Sequence, residues 1–305
     1  MVSKIIEKHF LSLALALSVV ALFQPQLFVG LKPHIPKLLG LVMFGMGLTL
    51  TTADFKGVLT KWRLIGIGTG LHFTIMPLTA FAISRLFQLS DEVTIGMVIV
   101  GACPSGTASN VITYLARANV ALAVGLTLVS TFLAPILTPA IVYLLMKKSI
   151  SIPVWDMMQS TFWIVLFPLL DALILRRLLQ KRIEKMVAIF PSISILAITV
   201  IIATIVALNQ KTLLTFPLLI LAAVICHNAA GLALGYLLSK LAKANETEAR
   251  TISIEVGTQN SGLGVTLASS FFSPAAALPG ALFSLWQNLA GIVLATFWRR
   301  NINLD

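Results

Sequence analysis

Long apolar runs separated by short polar gaps dominate the pattern of hydrophobic and polar positions along the chain. Ten such apolar windows fall near residues 9-29, 35-52, 64-87, 94-115, 119-146, 154-175, 187-207, 213-239, 249-271 and 277-298. A run of about 20 apolar residues is long enough to cross the hydrocarbon core of a bilayer as an α-helix. The pattern therefore predicts an all-α integral membrane protein with ten transmembrane helices.

The composition agrees with a membrane protein and argues against a nucleic-acid-binding protein. Of the 305 residues, 58% are hydrophobic and 11% are charged, whereas a soluble domain is about one quarter charged. The net charge of +11 would favour nucleic acid in a soluble protein, but here the basic residues lie in the gaps between apolar runs. We therefore expect a lipid bilayer as the partner, no nucleic acid, and a monomer.

Two further features of the sequence exclude other classes of protein. The first 28 residues have the basic start and apolar centre of a signal peptide, but the many comparable segments that follow favour a retained first span. Cys103 and Cys226 both lie within apolar runs, which gives little support to a disulfide framework or a thiolate metal site.

Basic residues are distributed unequally between the two sides of the predicted membrane. With the N-terminus in the cytoplasm, sixteen of the 22 Lys and Arg residues lie in cytoplasmic segments. The remaining six lie outside, namely Lys32, Lys37, Arg85, Lys147, Lys148 and Lys211. Because Lys and Arg concentrate in cytoplasmic loops, we expect both termini to be cytoplasmic.

The two halves of the chain, 1-150 and 151-305, repeat each other weakly. Pro36 and Pro191 open the second and seventh spans at an offset of 155 residues, and the same offset aligns residues 71-86 with 226-241. Each half has five predicted spans, an odd number, so the second half must be inverted relative to the first. Inverted repeats are typical of secondary transporters that work by alternating access, although Leu-rich sequences also match by coincidence.

The fourth and ninth spans each combine polar residues with helix breakers. The fourth contains Pro104 and Gly106, and the ninth contains Glu255, Gln259 and Asn260 within EVGTQNSGLG. Proline removes a helix hydrogen bond and glycine weakens the helix, so both spans should break within the membrane. Backbone groups freed by a break are tolerated only against protein or a wet cavity, where they can bind a cation or an anion.

Glu255 is the leading candidate functional residue. An ionised acid at the centre of a bilayer costs at least about 2.5 kcal/mol, so such residues are usually functional. Sodium prefers hard oxygen ligands, and a set of them is available in Glu255, Gln259, Ser109, Asn110 and Thr127. The alternative is a carboxylate near the cytoplasmic interface, since Arg250 is only five residues away.

Four motifs make the chain resemble the bile acid:sodium symporter family over essentially its whole length. They are GTASNVITYLA (106-116), EVGTQNSGL (255-263), HN (227-228) and SPAAALPGALFSLWQNLAG (273-291). The resemblance implies a mobile panel domain from spans 1, 2, 6 and 7. It also implies a core domain from spans 3-5 and 8-10, in which the two broken helices cross, and a place in the bacterial inner membrane.

The resemblance also implies particular ligands. One sodium site would use the side chains of Ser109, Asn110, Thr127 and Glu255. The other would use Glu255 and Gln259, the main chain at Val256 and Thr258, and a third-span side chain, here His72. Substrate is expected near Thr107, Asn260 and Asn288.

Two departures from the family pattern leave the number of sodium ions at one or two. The usual fifth-span serine is Ala123 in this chain, which removes one hydroxyl ligand. The usual third-span glutamine is His72, and nitrogen is a poor ligand for sodium.

These features together predict a sodium-coupled secondary transporter that imports an organic monocarboxylate by alternating access. No interior span has a central Lys or Arg, which favours one carboxylate over a dicarboxylate or a phosphate. The cargo would be a bile acid or a small hydroxy or keto acid such as pantoate, the small acid being favoured. The alternative within transport is proton coupling through Glu255 with His72 or His227, although packed, hydrogen-bonded histidines are more common.

Two other classes of function fit the sequence less well. An intramembrane hydrolase would need a nucleophile with a base or a paired acid dyad, and neither an aligned dyad nor a zinc motif such as H-E-x-x-H appears in the sequence. A channel is disfavoured because paired broken helices in inverted repeats favour alternating access. We therefore expect no enzymatic activity.

Overall fold

The computed structural model describes residues 10–51, 58–106, 108–215 and 217–301. Its helices, in chain order, are α1 (Phe10–Phe23), α2 (Gln26–Val29), α3 (Ile35–Thr49), α4 (Trp62–Leu86), α5 (Asp91–Ala102), α6 (Ala108–Leu115), α7 (Val120–Met146), α8 (Val154–Thr161), α9 (Phe167–Leu179), α10 (Glu184–Leu208), α11 (Gln210–Thr215), α12 (Pro217–Leu241), α13 (Glu246–Gly257), α14 (Ser261–Phe271) and α15 (Pro274–Asn301). A π-helical turn, Phe162–Leu166, joins α8 to α9, and short 3₁₀ turns precede α3 and α10. The fold is thus all-helical in its described part, apart from one β-bridge.

Six of the described helical stretches are long and apolar enough to cross a membrane. They are Gln26–Thr49, Trp62–Leu86, Val120–Met146, Val187–Leu208, Leu218–Leu241 and Pro274–Arg299. Each of the ten predicted windows contains α-helix, but four of them are divided into shorter pieces. A multi-pass helical membrane protein is therefore present, while ten transmembrane helices remain a prediction.

The four divided windows have identifiable interruptions. Pro25 separates α1 from α2, and the π-helical turn interrupts the sixth window. The fourth and ninth windows break between α5 and α6 and between α13 and α14, as the sequence predicts. The first two interruptions were not predicted from the sequence.

Polar caps fix the starts of several helices. The Oγ atom of Ser90 accepts a hydrogen bond from Val93 N at the start of α5, and Asn119 caps α7 in the same way. Asn245 and Glu248 form a capping box at the start of α13. Such side chains satisfy backbone N–H groups that have no partner inside the helix.

The helices pack in two groups. In one group, α3 packs against α9 and α10, and α10 packs against α1. In the other, α12 packs against α13 and α4, α5 packs against α4 and α15, and α14 packs against α15. The groups meet where α14 contacts α3 and where α10 contacts α15, and α8 contacts both α7 and α14.

The two interrupted helices cross at their breaks. Gly106 N donates to Thr258 O at 3.3 Å, and Asn260 N donates to Pro104 O at 2.7 Å. These two bonds flank an antiparallel bridge between Ser105 and Gln259. The two bonds are equivalent, because exchanging residues 104-106 with residues 258-260 turns one bond into the other, as in any antiparallel bridge.

Gly106 is the residue that permits this close crossing. A Cβ atom at position 106 would lie 2.6 Å from the carbonyl oxygen of Gln259. That distance is far inside van der Waals contact, so any side chain would push the two breaks apart.

Candidate functional site

The Glu255 carboxylate lies in the last turn of α13, with only 2% of the residue exposed. Its Oε2 atom accepts a hydrogen bond from Thr127 Oγ1 at 2.9 Å, whereas Oε1 has no hydrogen-bond partner. Arg250, which the sequence offered as evidence for an interfacial acid, pairs with Glu246 at 2.9 Å. Glu255 is thus enclosed by protein, and the nearby Arg250 is paired with another acid.

Two residues of the first predicted sodium site, Ser109 on α6 and Thr127 on α7, lie close together. Ser109 Oγ lies 3.4 Å from Thr127 Oγ1 and donates to the carbonyl of Gly106 at 2.6 Å. The Oδ1 atom of Asn110 is buried without a hydrogen-bond partner. Contacts therefore connect Ser109 to Thr127 and Thr127 to Glu255. Asn110 directly follows Ser109 in α6.

The second predicted set lies at the break between α13 and α14. Gln259 Nε2 donates to Val256 O at 3.1 Å, and Gln259 Oε1 is buried without a partner. The carbonyl oxygen of Thr258 accepts the bond from Gly106 N. Each of these two carbonyls has a second lone pair that could face a cation.

The oxygen-rich composition of this region fits a hard cation. Three of its oxygen atoms, Asn110 Oδ1, Glu255 Oε1 and Gln259 Oε1, are buried with no hydrogen-bond partner. Leaving such atoms unpaired is unfavourable, and carboxylate and amide oxygens are the ligands that sodium prefers. In the described part of the chain, no cluster of three His, Cys, Asp or Glu residues suggests a softer metal.

The two departures from the family pattern have different structural consequences. Ala123 is buried one turn before Thr127 on α7, so it removes a hydroxyl from the same helix face. His72 places Nδ1 3.0 Å from Glu255 O and Nε2 2.8 Å from Cys103 O. Because both ring nitrogens face backbone carbonyls, His72 joins the C-terminal ends of α5 and α13 and directs neither nitrogen to a cation.

His227 lies on α12 and is buried. Its Nε2 atom is 2.9 Å from Met76 O, and its Nδ1 atom has no hydrogen-bond partner. No hydrogen bond among the described residues connects His227 with Glu255 or His72. A proton relay through these three side chains therefore has no direct support in this geometry.

Asn260 stands at the boundary between the two helix groups. Its Oδ1 atom accepts from Leu263 N at 3.1 Å and caps α14. Its Nδ2 atom approaches Met43 Sδ on α3 at 3.6 Å. The predicted substrate residue is therefore both a helix cap and a contact with the opposite group.

The other two predicted substrate residues give less information. Asn288 on α15 is buried and donates to Ser284 O at 2.6 Å. The structure shows no direct hydrogen bond between Asn288 and Asn260. Thr107 lies outside the described residues.

Three buried side chains that were not among the predicted site residues support the crossing. The amide of Gln287 binds both the N–H and the carbonyl of Gln259, at 2.8 and 3.1 Å. Ser105 Oγ donates to Glu255 O at 3.0 Å, and Asn228 Nδ2 donates to the last carbonyl of α13 at 2.8 Å. All three are polar residues within apolar spans, and this is the sequence feature that could have identified them.

Apolar spanning helices, two crossed breaks and a buried oxygen-rich site define a multi-pass membrane transporter. The chain matches the model of the Sodium Bile acid symporter family over residues 36–216. Since this match covers more than half of the chain, the protein belongs to the sodium bile acid symporter family.

Similar proteins have related descriptions. The uncharacterized sodium-dependent transporter YocS of Bacillus subtilis (strain 168) is 43% identical over 91% of this chain and 87% of its own length. The probable sodium/metabolite cotransporter BASS1, chloroplastic, of Arabidopsis thaliana is 37% identical over 86% of this chain and 66% of its own length. Its counterpart in Oryza sativa subsp. japonica is 37% identical over 92% and 70%. All three are named as transporters, so this protein is a transporter and not an enzyme, as the sequence predicts.

Proposed function

We propose that the protein is a sodium-coupled secondary transporter that imports a small organic monocarboxylate. The observation that carries this proposal is Glu255 Oε1, a buried carboxylate oxygen without a hydrogen-bond partner. A sodium ion at this atom would neutralise the acid and satisfy its open coordination. The names of the relatives, which are sodium-dependent or sodium/metabolite transporters, support the same ion.

The first sodium site would use Ser109, Asn110, Thr127 and Glu255. The contacts from Ser109 through Thr127 to Glu255, and the open Oδ1 atom of Asn110, support this set. Ala123 leaves the site one hydroxyl short, but water or a main-chain carbonyl can supply the missing oxygen.

A second sodium site would use Glu255, Gln259 and the carbonyls of Val256 and Thr258. The open Gln259 Oε1 atom supports it. His72 weakens it, because a histidine ring has no oxygen atom to offer and both of its nitrogens face backbone carbonyls. One tightly bound sodium ion, with a weaker second site, is the arrangement that these contacts favour.

The proposed architecture has ten spans in two inverted repeats, residues 1-150 and 151-305. The panel domain would contain α1 to α3 and α8 to α10, and the core domain would contain α4 to α7 and α12 to α15. The division of helix contacts into two groups supports this assignment. Movement of one domain against the other would alternately expose the site, with both termini in the cytoplasm of a bacterial cell and the chain in its inner membrane.

The proposed substrate is an anion with one carboxylate, bound near Asn260 and Asn288. The described buried side chains include no Lys or Arg, so a second negative charge would find no cationic partner. Asparagine amides and the N-terminus of α14 offer neutral donors, which are sufficient for one carboxylate. A small hydroxy or keto acid such as pantoate is favoured over a bile acid.

Uptake into proteoliposomes, with sodium and proton gradients imposed separately, tests the coupling ion. We expect uptake of labelled pantoate to follow the sodium gradient and to persist when the proton gradient is collapsed. If protons are the coupling ion, uptake instead follows the proton gradient and is lost when that gradient is collapsed.

Competition then tests the substrate class. Pantoate-like acids should inhibit uptake and dicarboxylates should not, and Asn260→Ala and Asn288→Ala should weaken the inhibition by pantoate-like acids. Inhibition by dicarboxylates alone would reject the single-carboxylate site.

A further inference from the structure

The side chain of Gln287 ties α15 to the break in the second interrupted helix. Gln287 Oε1 accepts from Gln259 N at 2.8 Å, and its Nε2 atom donates to Gln259 O at 3.1 Å. The same Nε2 atom lies 3.2 Å from Ser261 Oγ. Gln287 is 4% exposed, so these bonds form in a buried environment, where breaking them would leave polar groups unpaired.

On one side of this link lies Gln259 Oε1, an oxygen atom of the proposed second sodium site. Because Gln259 Nε2 donates to Val256 O, the amide is oriented with Oε1 free of any hydrogen bond. Glu255 Oε1, one turn earlier in the chain, is also without a partner. A cation bound by these oxygens would restrain the side chain and, through it, the backbone at residue 259.

On the other side lie the two asparagines assigned to substrate. Asn260 directly follows Gln259, and Asn288 directly follows Gln287. Asn260 approaches Met43 on α3 at 3.6 Å, so this part of the break borders the boundary between the two helix groups. The Gln287 amide is therefore a short connection between Gln259 of the proposed second sodium site and the two asparagines of the proposed substrate site.

We propose that Gln287 is a positioning residue that couples sodium binding to substrate binding. The proposal rests on the proposed sodium-coupled function. Sodium fixes the backbone of Gln259, and the paired amide transfers this restraint to α15, which aligns Asn288 with Asn260. Coupling between two such sites commonly changes the affinity of the second ligand by about 5- to 150-fold.

The test compares Gln287→Met with Asn228→Leu in the purified full-length chain. Methionine keeps the length and much of the volume of glutamine but removes both bonds to Gln259. Asn228 is the matched control because it is a buried amide that bonds the same break through Gly257 O, yet it lies on α12 and has no link to Asn288. Two quantities are measured for each protein: the stabilisation against thermal unfolding by sodium alone, and the Kd for pantoate or cholate in sodium and in potassium.

We expect sodium to lower the wild-type Kd by at least about fivefold. Gln287→Met should still be stabilised by sodium, but its Kd should differ less than about twofold between the two salts. Asn228→Leu should be less stable than wild type and retain wild-type coupling. Equal loss of coupling in both variants, or wild-type coupling in Gln287→Met, would overturn the proposal while leaving sodium-driven transport intact. A wild-type affinity that does not depend on sodium would overturn this proposal and the proposed function together.

Discussion

At the scale of single residues, the site is defined by oxygen atoms that the protein itself does not satisfy. Glu255 uses one carboxylate oxygen to accept from Thr127 and leaves the other open, and Asn110 and Gln259 each leave an amide oxygen open. A buried carboxylate normally has its lone pairs occupied by donors or by a metal ion. A bound cation is therefore the simplest way to stabilise this arrangement.

The hydroxyl of Thr127 should contribute to sodium affinity. Thr127→Val keeps the branched shape and removes the bond to Glu255, and hydrogen bonds to charged groups contribute about 1.5–3 kcal/mol. We expect the sodium concentration for half-maximal uptake to rise by about one to two orders of magnitude. Thr131→Val is the control, because Thr131 Oγ1 bonds only the carbonyl of Thr127 within the same helix. An equal effect of the two substitutions would show that the Thr127 hydroxyl has no particular role.

His72 should limit the number of sodium ions. His72→Gln replaces a ring whose nitrogens lie 3.0 Å from Glu255 O and 2.8 Å from Cys103 O with a side chain that carries an amide oxygen. We expect the Hill coefficient for sodium to rise from about one toward two, since a second site gains an oxygen ligand. Sodium titration of uptake in proteoliposomes measures this coefficient. An unchanged coefficient in a folded, active variant would show that His72 does not set the stoichiometry.

At the scale of helices, the crossing depends on two short interruptions that bind each other through the backbone. The bonds from Gly106 N to Thr258 O and from Asn260 N to Pro104 O satisfy groups that the broken helices leave free. Side chains from three other helices then hold the crossing: His72 from α4, Asn228 from α12 and Gln287 from α15. Such support allows non-helical backbone to persist within an apolar protein.

Adding a single methyl group at the crossing should disable the transporter. In Gly106→Ala, the new Cβ would lie 2.6 Å from Gln259 O, and overpacking of this kind costs about 1–3 kcal/mol. We expect uptake to fall at least about tenfold and thermal stability to decrease. Gly70→Ala in α4 is the control, since a Cβ there meets nothing within 4 Å. Wild-type uptake by Gly106→Ala would show that transport does not require the close crossing of the two helix breaks.

The sequence identifies these elements to different extents, for physical reasons. Glu255 and Gln259 are recognisable because acids and amides are costly in apolar spans, and the breaks are recognisable from Pro104 and nearby glycines. The double bond of Gln287 to Gln259 is not recognisable, because it depends on which helix tertiary packing brings to the break. Likewise, no local sequence rule predicted the π-helical turn between α8 and α9.

At the scale of the whole molecule, Asn260, a proposed substrate residue, lies at the boundary between the two helix groups. Asn260 belongs to one group and contacts Met43 of the other at 3.6 Å. The largest buried apolar cluster also spans both groups, with Ile99 and Phe283 on one side and Leu39 and Met43 on the other. Relative movement of the groups would therefore change the surroundings of Asn260 most directly.

Cysteine labelling tests the orientation of the chain in the membrane. Arg182 and Lys148 are both exposed and are expected on opposite sides, with Arg182 in the cytoplasm. Cys226 is exposed and is first replaced by serine to remove background labelling. In intact cells, an impermeant thiol reagent should label Lys148→Cys and should reach Arg182→Cys only after the membrane is opened. Labelling of both positions from outside would contradict the inverted arrangement of the two halves.

Sodium-driven uptake by Glu255→Gln tests the central claim most directly. Glutamine keeps the size of the side chain and one oxygen but removes the negative charge that is proposed to hold sodium. The measurement is uptake of labelled pantoate into proteoliposomes under an inward sodium gradient, with wild type and Glu255→Gln reconstituted at equal density and checked for equal thermal stability. The account predicts sodium-dependent accumulation by wild type and none by Glu255→Gln. Wild-type accumulation with an unchanged sodium requirement in Glu255→Gln would contradict it.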